Sequence, residues 1–357
     1  MLKTNYDLLG MLRWKRPAGS EHEDKFVQRF IDTVQGMEPD NYGNRWLVNE
    51  KSRTLISVHT DTVHRNSGMQ KVVANALGIV SVAESYKPAP SVKRFSWEKG
   101  KGKKNEFTKL LEKWEAEQRS KVTGGYADAH VASHCLGADD TAGVYAALRM
   151  IEAKVPVSFV FHRDEEIGGR GSAWVAREYA GWLSSSFDRC VALDRRGTKD
   201  VIISQWGDQC CSFDFAVVLG TELGMGHKPA AGIFTDSANY MGVIPECSNI
   251  SVGYMNEHTP QETLDTGYLE TLIERLCEVE WDKLPTERDP YEMMMHKRTS
   301  TVVVSGDGRT DGWGDDAMTN HMLMDMGLEE ELSEDEWERM ILEEEEKDRK
   351  AREEEKA

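Results

Sequence analysis

The sequence lacks the features that mark several large classes of protein. Its 357 residues contain no CxxC pair, no basic leader followed by an apolar stretch, and no apolar run near the roughly 20 residues of a membrane helix. A general nucleic-acid binder needs a basic face, whereas the formal net charge is −18. We therefore expect no membrane span, no nucleic-acid partner and no disulfide framework. The six unpatterned cysteines favour the reducing cytoplasm.

The charge is unevenly distributed along the chain. Residues 329–357 contain 15 acidic and 6 basic side chains, so half of the net charge lies in this segment. Residues 87–121 carry 11 basic side chains against 5 glutamates, which indicates a basic insertion. We predict a main domain over residues 1–285, a flexible linker over 286–326 and an acidic helical tail over 327–357. The tail is a candidate surface for a partner or for a second copy of the chain.

Apolar runs alternate with amphipathic segments in the main domain. The continuous run 157–161 is typical of a strand buried on both faces. The runs 54–58, 78–82, 190–193 and 250–253 predict further strands. This alternation predicts an α/β fold with a mixed, mostly parallel central sheet and helices on both faces.

Acidic and histidine side chains stand where these runs end. Five such places supply groups of the metal-ligand type: His59 and Asp61, Asp139 and Asp140, Glu165 and Glu166, Asp194, and His258. Any one of them alone would be a surface histidine, a helix cap or a solvated pair. Functional groups gather at the carboxyl ends of strands in open α/β sheets. Because imidazole and carboxylate suit zinc, cobalt or manganese, their conjunction predicts a metal site.

The order of these motifs resembles that of the co-catalytic zinc exopeptidase superfamily. That group includes tripeptidases, zinc aminopeptidases, glutamate-type carboxypeptidases and acyl-amino-acid deacylases. The matching motifs are His59-x-Asp61, Leu136-Gly-Ala-Asp-Asp-x-x-Gly143, Asp164-Glu-Glu-x-Gly-Gly-x-Gly171, Leu193-Asp194 and His258. Only about forty residues separate Asp194 from the substrate-loop-like segment 234–238. The chain therefore resembles a single-domain form without the dimerisation and lid domain.

The resemblance implies a role for each motif. Asp139 would bridge two zinc ions, with cobalt or manganese as alternatives. The implied ligands are His59, Asp139 and Asp194 for one ion and Asp139, Glu166 and His258 for the other. Asp61 would lie behind His59 and fix its orientation. Glu165 would be the general base for a water between the ions. The main domain would then be a di-metal peptidase domain.

Five further residues are candidates for contact with the substrate: Arg195, Arg196, His227, Asp236 and Tyr240. A guanidinium group suits a substrate carboxylate, and the alternative for either arginine is a structural ion pair. His227 or Tyr240 would replace the histidine that a lid domain supplies in two-domain members. The alternatives are an ordinary loop residue for His227 and a packed aromatic for Tyr240.

The predicted function is hydrolysis of an amide bond in a peptide or acyl-amino-acid substrate, by an exopeptidase of the aminopeptidase or small-peptide type. The alternatives are an N-acyl-amino-acid amidohydrolase and a carboxypeptidase, because all of these share the ligand set. A pocket carboxylate for a free amine would favour the aminopeptidase, and an arginine clamp would favour a substrate carboxylate. A non-catalytic binding module on the same fold is the alternative from another class. The presence of Glu165 and of all five ligand positions argues against it.

Overall fold

The computed structural model describes residues 6–83 and 134–290. The predicted basic insertion, the acidic tail and most of the linker lie outside the described residues. Within the two described ranges, no helix combines the length and the apolar character that a membrane crossing requires.

Among the described residues, nine strands form the central sheet. In spatial order they are β11 (Asp208–Gln209), β10 (Asp200–Gln205), β13 (Glu246–Ser251), β9 (Arg189–Arg195), β4 (Thr54–His59), β8 (Ser158–His162), β3 (Arg45–Leu47) and β2 (Glu38–Pro39), with β12 (Lys228–Ala231) beside β10. A second sheet contains β14 (Tyr254–Met255), β15 (Thr263–Asp265), β7 (Ile79–Val82) and β6 (Val72–Ala74). The strands β1 (Trp14–Lys15) and β5 (Gly68–Met69) form a separate pair.

The predicted α/β fold with a mixed central sheet is confirmed, but fewer of its strand pairs are parallel than predicted. The neighbours β13, β9, β4 and β8 are parallel, as is the pair β10 and β12. The remaining four pairings of this sheet are antiparallel, and short connections join the strands of two of them, β10 to β11 and β2 to β3. The sheet is therefore half parallel rather than mostly parallel, and its parallel part is the centre.

The central strands are buried on both faces. Every residue of β4, β8 and β13 is buried, and successive side chains of a strand point to opposite faces. This explains why the runs 54–58 and 157–161 are apolar without alternation. Both faces of the sheet are therefore covered, as predicted.

The described helices are α1 (Leu8–Met11), α2 (Glu21–Phe26, continued by a π-helical turn over Val27–Ile31), α3 (Ala138–Glu152), α4 (Arg170–Glu178), α5 (Ala180–Ser186), α6 (Phe213–Leu223) and α7 (Thr266–Leu276). Two 3-10 turns cover Asp236–Tyr240 and Trp281–Lys283. Helix α3 packs against β4 and β9 and is buried almost all round, as expected of a helix inside an α/β core.

The topology brings the predicted site residues to one edge of the sheet. His59 ends β4, and Asp194 lies near the end of β9, the strand beside it. Glu165 and Glu166 follow β8, the other neighbour of β4. His258 follows β13 and the short strand β14. Because these four central strands run parallel, their carboxyl ends meet at the same edge.

Candidate metal centre

Asp139 lies between two histidines. Its Oδ1 is 3.0 Å from His59 Nε2, and its Oδ2 is 3.2 Å from His258 Nε2. His258 Nε2 is also 3.1 Å from Glu166 Oε2, and His59 Nε2 is 3.6 Å from Asp194 Oδ1. The structure therefore brings together all five predicted ligands, with Asp139 shared by two groups.

Asp194 is held by side chains from three other segments. Thr235 Oγ1 donates to its Oδ2 at 2.7 Å, and the Tyr254 hydroxyl donates to its Oδ1 at 3.1 Å. The Asn249 amide makes two bonds to the backbone of Asp194, accepting from its N–H and donating to its carbonyl, both at 2.9 Å. Contacts within the protein therefore fix both the position of Asp194 and its rotamer.

Asp61 organises the neighbouring loop. Its two carboxylate oxygens accept the backbone N–H groups of Glu165 and Glu166 at 3.1 and 3.0 Å. Its Oδ1 also lies 3.4 Å from His59 Nδ1, while the other ring nitrogen of His59 faces Asp139. Asp61 thus orients the imidazole from behind and sets the loop that carries the two glutamates.

The carboxylates crowd one another in a buried space. Burial, followed by the charge of Asp139, raises the pKa of Glu166 to about 7 and the pKa of Asp194 to about 6. Burial opposes a charged imidazole at His258, but contacts with Asp139 and Glu166 outweigh it and raise its pKa to about 12. The negative charges of the carboxylates are therefore balanced by bound protons or by a charged imidazole, which indicates a site that would accommodate cations.

The donor set and its spacing fit divalent ions. Ligand atoms at about 2.0–2.2 Å from a tetrahedral zinc lie roughly 3.3–3.6 Å apart. Among the predicted ligands one separation, 3.6 Å, lies in this range, and the other three, 3.0, 3.1 and 3.2 Å, are slightly shorter. Glu166 Oε1 is buried and has no hydrogen-bond partner in the described part of the chain. His59 and Asp194 also group with Asp140 within ligand distance. Residues of this cluster could hold metal ions.

Asp140 supports the cluster through the backbone. Its Oδ2 accepts the N–H of His59 at 3.1 Å and its Oδ1 accepts the N–H of Gly143 at 2.9 Å. Asp139 and Asp140 are joined by a cis peptide bond, and both have non-helical backbone angles. Regular helical geometry in α3 therefore begins after the two aspartates, and both carboxylates of Asp139-Asp140 face the strand ends.

Gly143 allows helix α3 to lie close to the Leu193 carbonyl and to the Asp140 carboxylate. Its replacement by alanine is expected to destabilise the fold. A Cβ there would lie 2.1 Å from the Leu193 carbonyl oxygen and 2.3 Å from Asp140 Oδ1. We expect the free energy of unfolding to fall by about 2 kcal/mol or more, since overpacking of this kind costs about 1–3 kcal/mol. Urea denaturation measures the change.

Gly181 is the matched control for this prediction. It also lies in a helix, α5, but a Cβ there would meet nothing within 4 Å. Gly181→Ala is expected to stabilise by about 0.5–1 kcal/mol through helix propensity. Equal effects of the two substitutions would show that the packing around Gly143 does not limit α3.

Buried charges fasten the amino-terminal segment to the site. Arg16 donates from Nε to the Thr60 carbonyl at 2.8 Å and from Nη2 to Thr141 Oγ1 at 3.0 Å. Glu23 accepts from Thr60 Oγ1 at 2.6 Å and from Arg163 Nη2 at 2.9 Å. The loops that follow β4 and β8 and the start of α3 are therefore tied to one segment.

The two arginines predicted near the substrate form ion pairs. Arg195 Nε lies 2.9 Å from Asp200 Oδ2, and Arg196 Nη1 lies 3.3 Å from Glu257 Oε1. The second pair joins the segment that follows Asp194 to the residue that precedes His258. These contacts match the alternative interpretation, a structural ion pair, for both side chains.

The other three substrate candidates differ in position. His227 Nε2 lies 2.8 Å from the Tyr268 hydroxyl, and the Tyr240 hydroxyl lies 2.9 Å from His162 Nε2. In the described ranges, no hydrogen bond joins His227 or Tyr240 to a predicted metal ligand. Asp236 is buried and accepts from Ser172 Oγ, while its Oδ2 has no partner among the described residues. Burial raises the pKa of Asp236 to about 8.

Several supporting residues were not predicted from the sequence, among them Thr235 and Tyr254, which hold the Asp194 carboxylate, and two residues that act on the main chain. Asn249 fixes the backbone of Asp194, and Glu262 accepts four backbone N–H groups around Asp139. Both residues bind main-chain atoms, which every residue carries. Residue type and motif spacing therefore do little to predict their roles. The position of Glu262, four residues after the predicted ligand His258, is the one clue in the sequence.

Comparison with known proteins identifies the fold. No protein-family model and no curated protein sequence matches the chain. A tripeptidase from Staphylococcus aureus matches with a TM-score of 0.52 at 13% identity, over 77% of this chain and 96% of that one. The aminopeptidase PepT from Bacillus cereus matches with a TM-score of 0.51 at 12% identity, over 76% and 95%. A TET1 peptidase from Pyrococcus horikoshii has a TM-score of 0.46 at 16% identity, over 76% and 98%.

The first two likenesses cover almost the whole of each peptidase. The chain therefore shares the fold of these two peptidases, which confirms the predicted α/β fold.

Proposed function

We propose that the chain is a metal-dependent peptidase that uses two divalent ions, with zinc preferred and cobalt or manganese as alternatives. The observation that carries the proposal is the position of Asp139, whose two oxygens each face a histidine at 3.0 and 3.2 Å. One carboxylate with an imidazole on each side is the arrangement expected for an aspartate shared by two ions.

The bound ions would supply Lewis acidity, lowering the pKa of a water molecule and polarising the scissile carbonyl. His59 and Asp194 would hold one ion, Glu166 and His258 the other, and Asp139 both. Asp61 fixes the orientation of the His59 imidazole, and Thr235 and Tyr254 hold the Asp194 carboxylate. Ligands held in this way need little rearrangement on binding.

Glu165 would act as the general base. Its Oε2 lies 3.9 Å from His59 Nε2, beyond hydrogen-bonding distance, while its backbone N–H is fixed by Asp61. Burial, together with the charges of Asp194 and Glu166, raises the pKa of Glu165 well above its ordinary value, although His59 opposes the shift. A carboxylate of raised pKa accepts a proton from water and returns it to the leaving amine.

Two observations support the aminopeptidase or small-peptide type over an enzyme that binds a substrate carboxylate. Arg195 and Arg196 are both engaged with carboxylates of the chain itself. Asp236 supplies a further buried carboxyl group that interacts with Glu165, and one of its oxygens has no partner among the described residues. A free amine would satisfy that oxygen.

Product analysis tests the proposed function. The protein is loaded with zinc or cobalt, and a panel of free peptides, amino-terminally blocked peptides and acyl-amino acids is followed by mass spectrometry. We expect single residues to leave the amino end of free peptides only, and a chelator to stop the reaction. Cleavage of acyl-amino acids, or loss of carboxy-terminal residues, would favour the amidohydrolase or the carboxypeptidase instead.

Absence of cleavage would have a separate meaning. If the protein binds two ions but cleaves nothing in the panel, a binding module on the same fold becomes the better interpretation. If it binds no ion, the proposed metal centre is wrong.

A further inference from the structure

The Glu262 carboxylate is enclosed by backbone donors. It is 1% exposed and accepts the N–H groups of Leu136, Gly137, Ala138 and Asp139 at 2.8, 2.9, 2.6 and 3.2 Å. Each carboxylate oxygen takes two of these bonds. Together these four bonds fix the turn that delivers Asp139.

A compact turn connects Glu262 to His258. The backbone N–H of Glu262 donates to the Thr259 carbonyl at 3.1 Å, and Thr259 Oγ1 donates to the Asn256 carbonyl at 2.7 Å. Residues 256–262 therefore fold on themselves, and a displacement of Glu262 is transmitted to His258.

His258 needs such support. Its φ of 61° lies in the left-handed region, which costs about 1–2 kcal/mol for a residue with a side chain. Its side chain is 40% exposed, whereas that of Glu166 is 6% exposed. Local packing therefore holds His258 less firmly than it holds the other predicted ligands.

We propose that Glu262 is a positioning residue that sets the distance between His258 and Asp139, and so the geometry and affinity of the ion site that those two residues share with Glu166. The inference rests on the metal centre of the proposed function. Glu262 belongs to neither group of candidate ligands. It joins two predicted ligands that are 119 residues apart in the sequence.

The chain offers a matched control in Glu246. This residue is also fully buried and also accepts four bonds, from Ser212 N, Ser212 Oγ, Glu287 N and Arg288 N at 2.6, 3.0, 2.7 and 3.2 Å. It lies at the amino end of β13, the end opposite the metal centre. A glutamine at either position replaces an acceptor oxygen with an N–H donor facing N–H groups, so both variants lose comparable stability.

The experiment measures binding of zinc by equilibrium dialysis and the visible absorption spectrum of the cobalt-loaded protein, for wild type, Glu262→Gln, Glu262→Asp and Glu246→Gln. In both Glu262 variants we expect the ion site formed by Asp139, Glu166 and His258 to lose about 10- to 100-fold in affinity, with a changed cobalt spectrum. Glu246→Gln is expected to melt at a lower temperature and yet to keep wild-type affinity and spectrum.

Wild-type affinity and spectrum in a folded Glu262 variant would overturn the proposal, as would an equal loss of affinity in Glu246→Gln. If Glu262→Gln does not fold, Glu262→Asp decides, since it keeps the charge but shortens the reach. If the wild type itself binds no ion, the proposed function fails and this inference fails with it. If the wild type binds two ions and the Glu262 variants bind them equally well, only this inference fails and the proposed function is untouched.

Discussion

Replacement of Asp139 by asparagine is expected to abolish tight binding of both metal ions, and hydrolysis with it. The amide leaves one acceptor oxygen where the carboxylate now faces His59 and His258, and it turns an N–H group toward one of them. We expect metal affinity to fall by more than about 100-fold, beyond the loss caused by removing a supporting residue. At an ion concentration of 100 times Kd the wild type gains about 2.7 kcal/mol of stability, and the variant should gain none. Elemental analysis after dialysis and melting curves with and without zinc measure both effects.

Asp140→Asn is the control for this prediction. Asp140 has the same side chain and similar burial, but its oxygens accept backbone N–H groups of His59 and Gly143. It also groups with His59 and Asp194 at ligand distance, so the comparison decides which aspartate is the shared ligand. We expect Asp140→Asn to lower the melting temperature but to retain two ions. Retention of both ions by Asp139→Asn and their loss from Asp140→Asn would reverse the assignment.

The strands of the core were predictable because burial leaves a simple pattern. The runs 54–58, 157–161 and 190–193 are apolar without alternation, and, apart from Val157, which directly precedes β8, each lies in a central strand, β4, β8 or β9. The strand predicted at 250–253 in fact covers Glu246–Ser251. Its first four residues, Glu-Cys-Ser-Asn, resemble a loop by composition. They are buried because Ser248 donates to the Ile202 carbonyl and Asn249 bonds the backbone of Asp194.

The spatial order of the strands could not be read from the sequence. The chain visits β4, β8, β9 and β13 in that order, but the sheet places them as β13, β9, β4 and β8. This order depends on pairing and on helix packing far apart in the sequence. The motifs nevertheless indicated one shared edge, because any parallel arrangement brings the carboxyl ends of the strands together.

The outer parts of the site were the least predictable. Arg195 and Arg196 follow Asp194 directly, so the sequence alone left open a substrate clamp or ion pairs. In the sequence, their partners Asp200 and Glu257 cannot be told from any other acidic residue, because only the folded structure brings them next to the arginines. Glu262 shows the same limit, since its four partners are backbone N–H groups that every residue except proline carries.

Replacement of Glu165 by glutamine is expected to separate catalysis from metal binding. Glutamine has nearly the same shape and keeps the backbone N–H that Asp61 accepts, but its amide cannot take a proton from water. We expect kcat to fall by about 10²- to 10⁴-fold, the usual contribution of general acid–base catalysis. Metal content should remain that of the wild type, because Glu165 Oε2 stands 3.9 Å from His59 Nε2 and belongs to neither group of candidate ligands.

The adjacent Glu166→Gln is the matched comparison, with the same substitution one residue along the same loop. Glu166 Oε2 is 3.1 Å from His258 Nε2, and its backbone N–H is also accepted by Asp61, so loop geometry is preserved in both variants. We expect Glu166→Gln to lose affinity for one ion and Glu165→Gln to lose none. Loss of metal from Glu165→Gln would make Glu165 a ligand, and turnover near that of the wild type would remove it from the reaction. Because the two side chains are neighbours in one loop, a general loss of folding would lower metal content and turnover in both variants. Distinct roles as base and ligand predict that Glu165→Gln loses turnover alone, whereas Glu166→Gln loses one ion and turnover together.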